Sequence, residues 1–201
     1  MTALALSGLA SGAANASAQS TPSDSPPATL SPTYWRDVGY GATASLLLHE
    51  AGHVITALAL GARPTFGFDA LRPTIYSGLD SRVQPHKQFL FSAAGLTTQS
   101  LVDEAILDIP HSRGSSFERG ILAGGIATTA FYLTIGRSGS VSDVAYMARM
   151  HGMTKTQITL LYGGVAAVHA LRIAGSVRYS NFFARPRDDG GMDVGIDLTG
   201  R

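Results

Sequence analysis

Two histidines, four residues apart in a run with few other polar side chains, constrain this chain more than any other feature. Residues 45–58 read Ser-Leu-Leu-Leu-His-Glu-Ala-Gly-His-Val-Ile-Thr-Ala-Leu, without a proline. In a helix, His49 and His53 lie one turn apart on the same face, where two neutral imidazoles can bind one metal ion. Burying three ionisable groups in such a run is costly unless they are paired or coordinated. The pattern therefore favours a metal site over a structural coincidence.

The glutamate that follows the first histidine adds a catalytic group. In the His-Glu-x-x-His pattern, zinc takes both imidazoles and the glutamate lies beside the metal as a general base. Zinc lowers the pKa of a bound water to about 7, so Glu50 can take a proton from it at neutral pH. The chain has no cysteine, so any further protein ligand must be His, Asp or Glu. The motif predicts zinc held by His49 and His53, with Glu50 activating the zinc-bound water for hydrolysis.

Composition favours a helical membrane domain. Charged residues make up 14% of the 201 residues, against about 25% in soluble domains. The chain also contains 23 glycines, and its mean hydropathy is positive. A formal net charge of +1 shows no excess of the basic residues that nucleic-acid binding needs, so we expect no nucleic-acid partner.

The N-terminal part predicts export followed by a linker. Residues 1–18 are apolar and rich in small residues, and Ala16-Ser17-Ala18 fits the cleavage site of a secretory signal peptide. Because no Lys or Arg precedes Arg36, a disordered leader is the alternative. Residues 19–33 form a Pro/Ser/Thr linker that we expect to be disordered. The predicted domain then covers residues 34–180, and residues 181–201 form a polar tail.

Four apolar segments near membrane-spanning length predict the architecture. Alternating β-formers around Arg72-Pro73 predict a short hairpin from residues 65–69 and 74–78. The predicted fold is mainly α, with about four apolar helices forming a small membrane domain that carries a short β-hairpin insertion. We expect an integral membrane protein in a lipid bilayer, the inner or plasma membrane if the source is bacterial; a soluble helical zinc protein is the alternative. The apolar segments are residues 38–60, 89–109, 117–135 and 158–177.

A catalytic zinc site needs a third protein ligand besides two histidines. Asp143 follows the third apolar segment in a Ser-Asp pair typical of a helix start, and as an N-cap it would need no metal. Glu104 lies in the second apolar segment, with Asp108 four residues later. His169, midway along the fourth segment, is a further option or a polar link between helices. The residues alone leave this choice open.

The motif His49-Glu50-Ala51-Gly52-His53, followed by Leu-Ala-Leu-Gly-Ala-Arg-Pro and a β stretch, resembles the start of the site-2-protease family of intramembrane zinc metallopeptidases. Ala94-Gly95 in the second apolar segment adds to the resemblance. The family order implies that Asp143 is the third zinc ligand, ahead of Glu104, whose Glu-x-x-x-Asp spacing resembles thermolysin-like peptidases. Residues 140–149 also resemble the aspartate-bearing helix of AAA-linked metalloproteases. The resemblance implies Zn²⁺ as cofactor and a membrane protein or peptide as substrate, cleaved in or near the membrane.

The sequence lacks the Leu-Asp-Gly or Asn-Pro-Asp-Gly usual in the site-2-protease family, since Asp143 is followed by Val-Ala. Two alternatives to the enzyme therefore remain. One is a catalytically inactive metal-binding membrane protein, and the other is a purely structural helical module whose His-Glu-His face makes interhelical hydrogen bonds. In the enzyme, the hairpin at residues 65–78 would hold an extended substrate by strand addition.

Overall fold

The structure is a computed structural model that describes residues 32–69, 72–110, 114–139, 141–150, 152–176, 178–179, 182–186 and 192–196. Five α-helices make up most of this part of the chain, together with two antiparallel hairpins and a short 3₁₀ turn at Gly136–Ser138. The predicted mainly α fold with a hairpin after the first helix is confirmed. The helices are α1 Pro32–Ala59, α2 Pro85–Asp108, α3 Ser116–Leu133, α4 Asp143–Met150 and α5 Lys155–Gly175. The strands are β1 Thr65–Asp69, β2 Arg72–Tyr76, β3 Phe182–Pro186 and β4 Met192–Ile196.

The element boundaries differ from the predicted ones in places that backbone chemistry explains. Helix α1 begins at Pro32, inside the predicted linker, because a proline in the first helical turn lacks only an N–H that the helix does not use. Strand β2 begins at Arg72, and Asp69 pairs with it. It includes Pro73, which an edge strand tolerates. The hairpin of β3 and β4 lies in the predicted polar tail, whereas the predicted signal peptide lies outside the described residues.

Helices α1 and α3 run in the same direction and approach each other closely through small residues. A Cβ atom on Gly41 would lie 2.0 Å from the Phe117 carbonyl oxygen and 2.9 Å from the Cα atom of Gly120. One turn further along α3, Gly124 faces Ala42 and Ser45 in the same way. Small residues at these crossings let the two backbones touch, as they do in membrane helix pairs.

Helices α2 and α5 run in the opposite direction to α1 and α3, and they lie side by side. Midway along α2, Thr97 shares a hydrogen bond of 3.0 Å with Tyr162 of α5. Further along, His169 of α5 contacts Glu104 of α2. The short helix α4 crosses the same end of the bundle as the first hairpin. Its apolar residues join the main core, which consists of Leu96, Tyr132, Leu133, Val144, Met147 and Ile158.

The bundle has polar side chains in its interior and large apolar side chains on its surface. Large apolar side chains on α5, such as Leu160 and Leu171, are 71% and 74% exposed. Leu47 and Ile55 on α1 are more than half exposed as well. The interior, by contrast, contains a series of polar side chains: Ser45, His49, His53, Gln88, Ser92, Gln99, Asp103, Thr129 and His169.

One helix of the described part, α5, is long and apolar enough to cross a membrane. Only 11% of its most apolar stretch is buried inside the protein. The sequence analysis predicted four segments of membrane-spanning length. In the part of the chain that the structure describes, one helix meets the requirements of length and apolar composition.

Candidate metal centre

Helix α1 brings the two motif histidines to one point inside the bundle. Their Nε2 atoms lie 3.2 Å apart, and the two side chains are almost completely buried. The four-residue spacing places both rings on the face that α1 turns toward α2 and α3. The local sequence thus provides two of the ligands that a metal ion would need.

Helix α4 supplies the third group from a distant part of the chain. The Ser142 hydroxyl accepts a hydrogen bond from the backbone N–H of Ala145, and its carbonyl accepts one from Tyr146. Ser142 therefore caps the helix, which leaves the side chain of Asp143 available for another contact. One carboxylate oxygen of Asp143 lies 3.3 Å from the Nε2 atom of each motif histidine. The structure thus brings together His49, His53 and Asp143.

The spacing of these three atoms fits a metal ion. Their separations are 3.2, 3.3 and 3.3 Å. Ligands about 2.0 Å from a tetrahedral zinc are separated from one another by about 3.3 Å. Among the described residues, this is the one group of three or more potential ligands whose atoms lie this close together. The group could hold a metal ion.

Hydrogen bonding at His53 also indicates a cation. Its Nδ1 lies 2.8 Å from the backbone carbonyl oxygen of Phe91, which can only accept, so Nδ1 carries the hydrogen. In the neutral ring, Nε2 then holds a lone pair, yet it faces a carboxylate oxygen of Asp143. A proton on Nε2 satisfies both acceptors in the metal-free site, and a metal ion could take the place of that proton. A carbonyl that fixes the outer nitrogen of a ligand histidine is the usual support of a metal site.

Helix α2 leaves room for the ion at Gly95. A Cβ atom there would lie 2.5 Å from the Nε2 atoms of both His49 and His53. That distance is shorter than any real Cβ contact, so any other residue would displace the two rings. The absence of a side chain at Gly95, in the Ala94-Gly95 pair, is therefore explained by the two imidazole rings that occupy this space.

The charges of Asp143 and the two imidazoles depend on each other. Burial alone would raise the pKa of Asp143, but a positive charge on His53 and hydrogen bonds from both imidazoles hold it well below its usual range. The carboxyl group is therefore ionised beside a protonated His53, and a bound metal ion would replace that proton.

A cavity of about 190 Å³ opens beside this centre and is lined by Glu50, His53 and Asp143. Residues 74–79, which are consecutive, line it on another side. Because successive strand residues point to opposite faces, such a run means that β2 meets the cavity along its backbone edge. The base predicted from the motif and a strand edge thus share one cavity with two of the three potential ligands.

Glu104, the alternative third ligand, lies elsewhere. It follows Gly95 by nine residues, which is about 13 Å along a helix. Its carboxylate pairs with Arg172 and with the Nε2 atom of His169, which lies 2.9 Å away. Asp108 pairs with the same arginine. Glu104 and His169 are thus partners of each other between α2 and α5.

Gln99 of α2 bridges two helices. Its amide nitrogen lies 2.7 Å from the Ser45 hydroxyl of α1. Sequence reasoning missed two neighbours of the centre, the Phe91 carbonyl group beside His53 and the ring of Tyr132 stacked on His49. A backbone carbonyl has no sequence signal, and an aromatic residue in an apolar helix looks like any other core residue.

Comparisons with models of known protein families, with curated protein sequences and with solved structures found no match for this chain.

Proposed function

We propose that this protein is a zinc-dependent metallopeptidase that cleaves peptide bonds in or near a membrane. The observation that carries the proposal is the convergence of Asp143 on the two motif histidines from a separate helix, with Glu50 beside the same cavity. A purely structural hydrogen bond needs an acceptor beside one imidazole nitrogen, whereas here one oxygen lies 3.3 Å from the Nε2 atoms of both. The motif's resemblance to site-2 proteases supports the same reading.

The donor set favours zinc among the common metals. Two imidazole nitrogens and one carboxylate oxygen, at tetrahedral spacing and with a cavity on the remaining side, match catalytic zinc sites with three protein ligands. Calcium and magnesium prefer sites built mainly from oxygen ligands. When bound, zinc would polarise the substrate carbonyl group and acidify water.

Glu50 performs the proton transfers in this proposal. It follows His49 directly on α1, and its half-buried side chain lines the cavity. Its carboxylate would take the proton from the attacking water and return it to the leaving amine, so no other acid is needed. His49, His53 and Asp143 would hold the metal and remain unchanged through the reaction.

The substrate would be an extended peptide lying along β2. A peptide bond must leave the helical conformation before a nucleophile can reach it, and a strand edge can hold it in that form. Residues 74–76 of this strand line the cavity that holds Glu50. Strand addition would therefore place the scissile bond beside the metal centre.

A bilayer accounts for the unusual surface. Exposed leucine and isoleucine side chains on α1 and α5, together with a polar interior, suit helices surrounded by lipid rather than water. A helix as apolar as α5 in a soluble protein would be mostly buried, but this one is not. We infer that the bundle of α1, α2, α3 and α5 lies in the membrane, with the metal centre inside it.

The test compares three variants of the purified full chain in detergent micelles, with single-span membrane peptides as substrates. Glu50→Gln should keep about one zinc per chain and lose cleavage, whereas His49→Ala should lose both. Glu118→Gln is the matched control, because glutamine also serves in the helix cap that Glu118 forms with Ser115. Cleavage by Glu50→Gln would reject Glu50 as the base. Zinc binding without cleavage by the unaltered chain would instead favour a catalytically inactive metal-binding protein.

A further inference from the structure

The two potential histidine ligands are held in place in different ways. His53 has the hydrogen bond from Nδ1 to the Phe91 carbonyl group. The Nδ1 atom of His49 is equally buried but has no hydrogen-bond partner within the described part of the chain. A ligand histidine normally depends on such a bond to fix its ring plane. Something else must therefore orient His49.

The ring of Tyr132 lies flat against His49. The two ring centroids are 4.8 Å apart, and the planes differ by only 19°. Gly95 of α2 contacts the same imidazole at its Nε2 and Cε1 atoms, so α2 and α3 both restrict the ring. Phe91 lies as close to His53, but its ring is tilted by 38°. Parallel stacking is therefore particular to the histidine that lacks the hydrogen bond.

We propose that Tyr132 is a positioning residue for His49 and that it fixes the imidazole plane by stacking, in place of a hydrogen bond at Nδ1. The inference rests on the metal site proposed above and does not depend on peptidase activity. Offset stacking of aromatic rings restrains both ring separation and ring tilt, which are the two quantities that aim Nε2.

Tyr132 is also well placed to hold the centre together. It belongs to the same buried core cluster as Val144, which directly follows Asp143 in α4. One side chain on α3 thus contacts a ligand residue from α1 and packs in the core that supports the helix of the third ligand. Movement of the Tyr132 ring would disturb His49 first and Asp143 through the core.

The test measures metal affinity rather than cleavage. Zinc affinity is determined by competition with a chelator for the purified full chain and for Tyr132→Phe, Tyr132→Leu and Phe131→Leu. We expect the phenylalanine variant to stay within about twofold of the unaltered chain, because it keeps the ring. The leucine variant should bind at least about tenfold more weakly, in the range found for residues that support metal ligands. Phe131→Leu removes a partly exposed ring that touches Tyr132 edge-on but does not stack on His49, so it should change affinity less than about twofold.

Cobalt provides a second readout. The visible absorption of bound Co²⁺ reports its coordination geometry, so Tyr132→Leu should alter this spectrum while Tyr132→Phe preserves it. Unchanged zinc affinity and an unchanged cobalt spectrum in Tyr132→Leu would overturn the proposal. An equal loss in Tyr132→Phe would also overturn it, because the hydroxyl group and not the ring would then be responsible.

Tyr132 lies in the core, so the leucine variant could unfold. Tyr132→Met then takes its place, since an unbranched side chain fills the space without a ring. Unchanged zinc affinity and an unchanged cobalt spectrum in this variant would likewise overturn the proposal. The unaltered chain is measured first. If it binds no zinc, the proposed function itself is wrong. If it binds zinc and the Tyr132 substitutions leave the affinity unchanged, only this inference is wrong.

Discussion

Two clusters of histidine and carboxylate side chains lie along this bundle, and their contacts are arranged differently. In the metal centre, His49, His53 and Asp143 direct three atoms to one point, with separations of 3.2–3.3 Å. In the second cluster, Asp103, Glu104 and Asp108 of α2 face His169 and Arg172 of α5, and each contact joins one acid to one base. Three ligand atoms directed to one point suit the binding of an ion, whereas acids in contact with bases neutralise charge within the protein. The contrast teaches that burial of ionisable groups alone does not identify a metal site.

The largest effect should come from removing one histidine from each cluster. His49→Ala should lower zinc affinity by more than about 100-fold, since substitutions that only support a ligand already cost about 10–100-fold. His169→Ala should leave zinc affinity within about twofold but lower the melting temperature, because it leaves the buried Asp103 without its partner. Zinc content by elemental analysis and thermal unfolding separate the two variants. Loss of zinc from His169→Ala would erase the distinction between the clusters.

Replacement of one carboxylate in each cluster by its amide should give the next largest effect on zinc affinity. Asp143→Asn removes a negatively charged ligand while keeping the shape of the side chain, so zinc affinity should fall by about 100-fold. Glu104→Gln, the equivalent change in the second cluster, should leave zinc affinity within about twofold. Chelator competition measures both. A larger loss in Glu104→Gln than in Asp143→Asn would restore Glu104 as the third ligand.

Glycine substitutions should give the smallest effect. They compare a glycine that contacts the two imidazoles with one that has free space around it. Gly95→Ala should weaken zinc binding by about tenfold, because the new methyl group meets both imidazole nitrogens at 2.5 Å. Gly164→Ala on α5 is the matched control, since nothing lies within 4 Å of its added carbon. Alanine there should stabilise the helix by about 0.5–1 kcal/mol and leave zinc affinity unchanged. Equal zinc affinities in the two variants would mean that Gly95 does not make room for the ion.

The sequence predicted those features that depend on neighbours along the chain. The pairing of His49 with His53 follows from helical periodicity alone, and the hairpin follows from β-formers around Arg72-Pro73. Contacts between residues of distant segments were harder to predict from the sequence. Nothing in the second apolar segment shows that Arg172, 68 residues after Glu104, neutralises that glutamate. The support that Tyr132 gives to His49 depends on how α3 is rotated, which periodicity does not determine.

The surface was only partly predictable for a similar reason. The apolar segments of the sequence correspond to helices, but hydropathy averages over all faces of a helix. Polar residues on the inner face of α2, such as Gln99 and Asp103, lower that average although lipid would never meet them. A chain whose interior is polar can therefore have an apolar exterior without every helix scoring as a membrane span.

The division of the centre between a long helix and a short one makes its two parts depend on different contacts. His49 and His53 share the continuous backbone of α1, so they cannot separate unless that helix unwinds. Asp143 stands on the first turn of an eight-residue helix, α4. A complete site for an ion therefore depends on the packing of α4 against the core, whereas the two-histidine half depends on α1 alone.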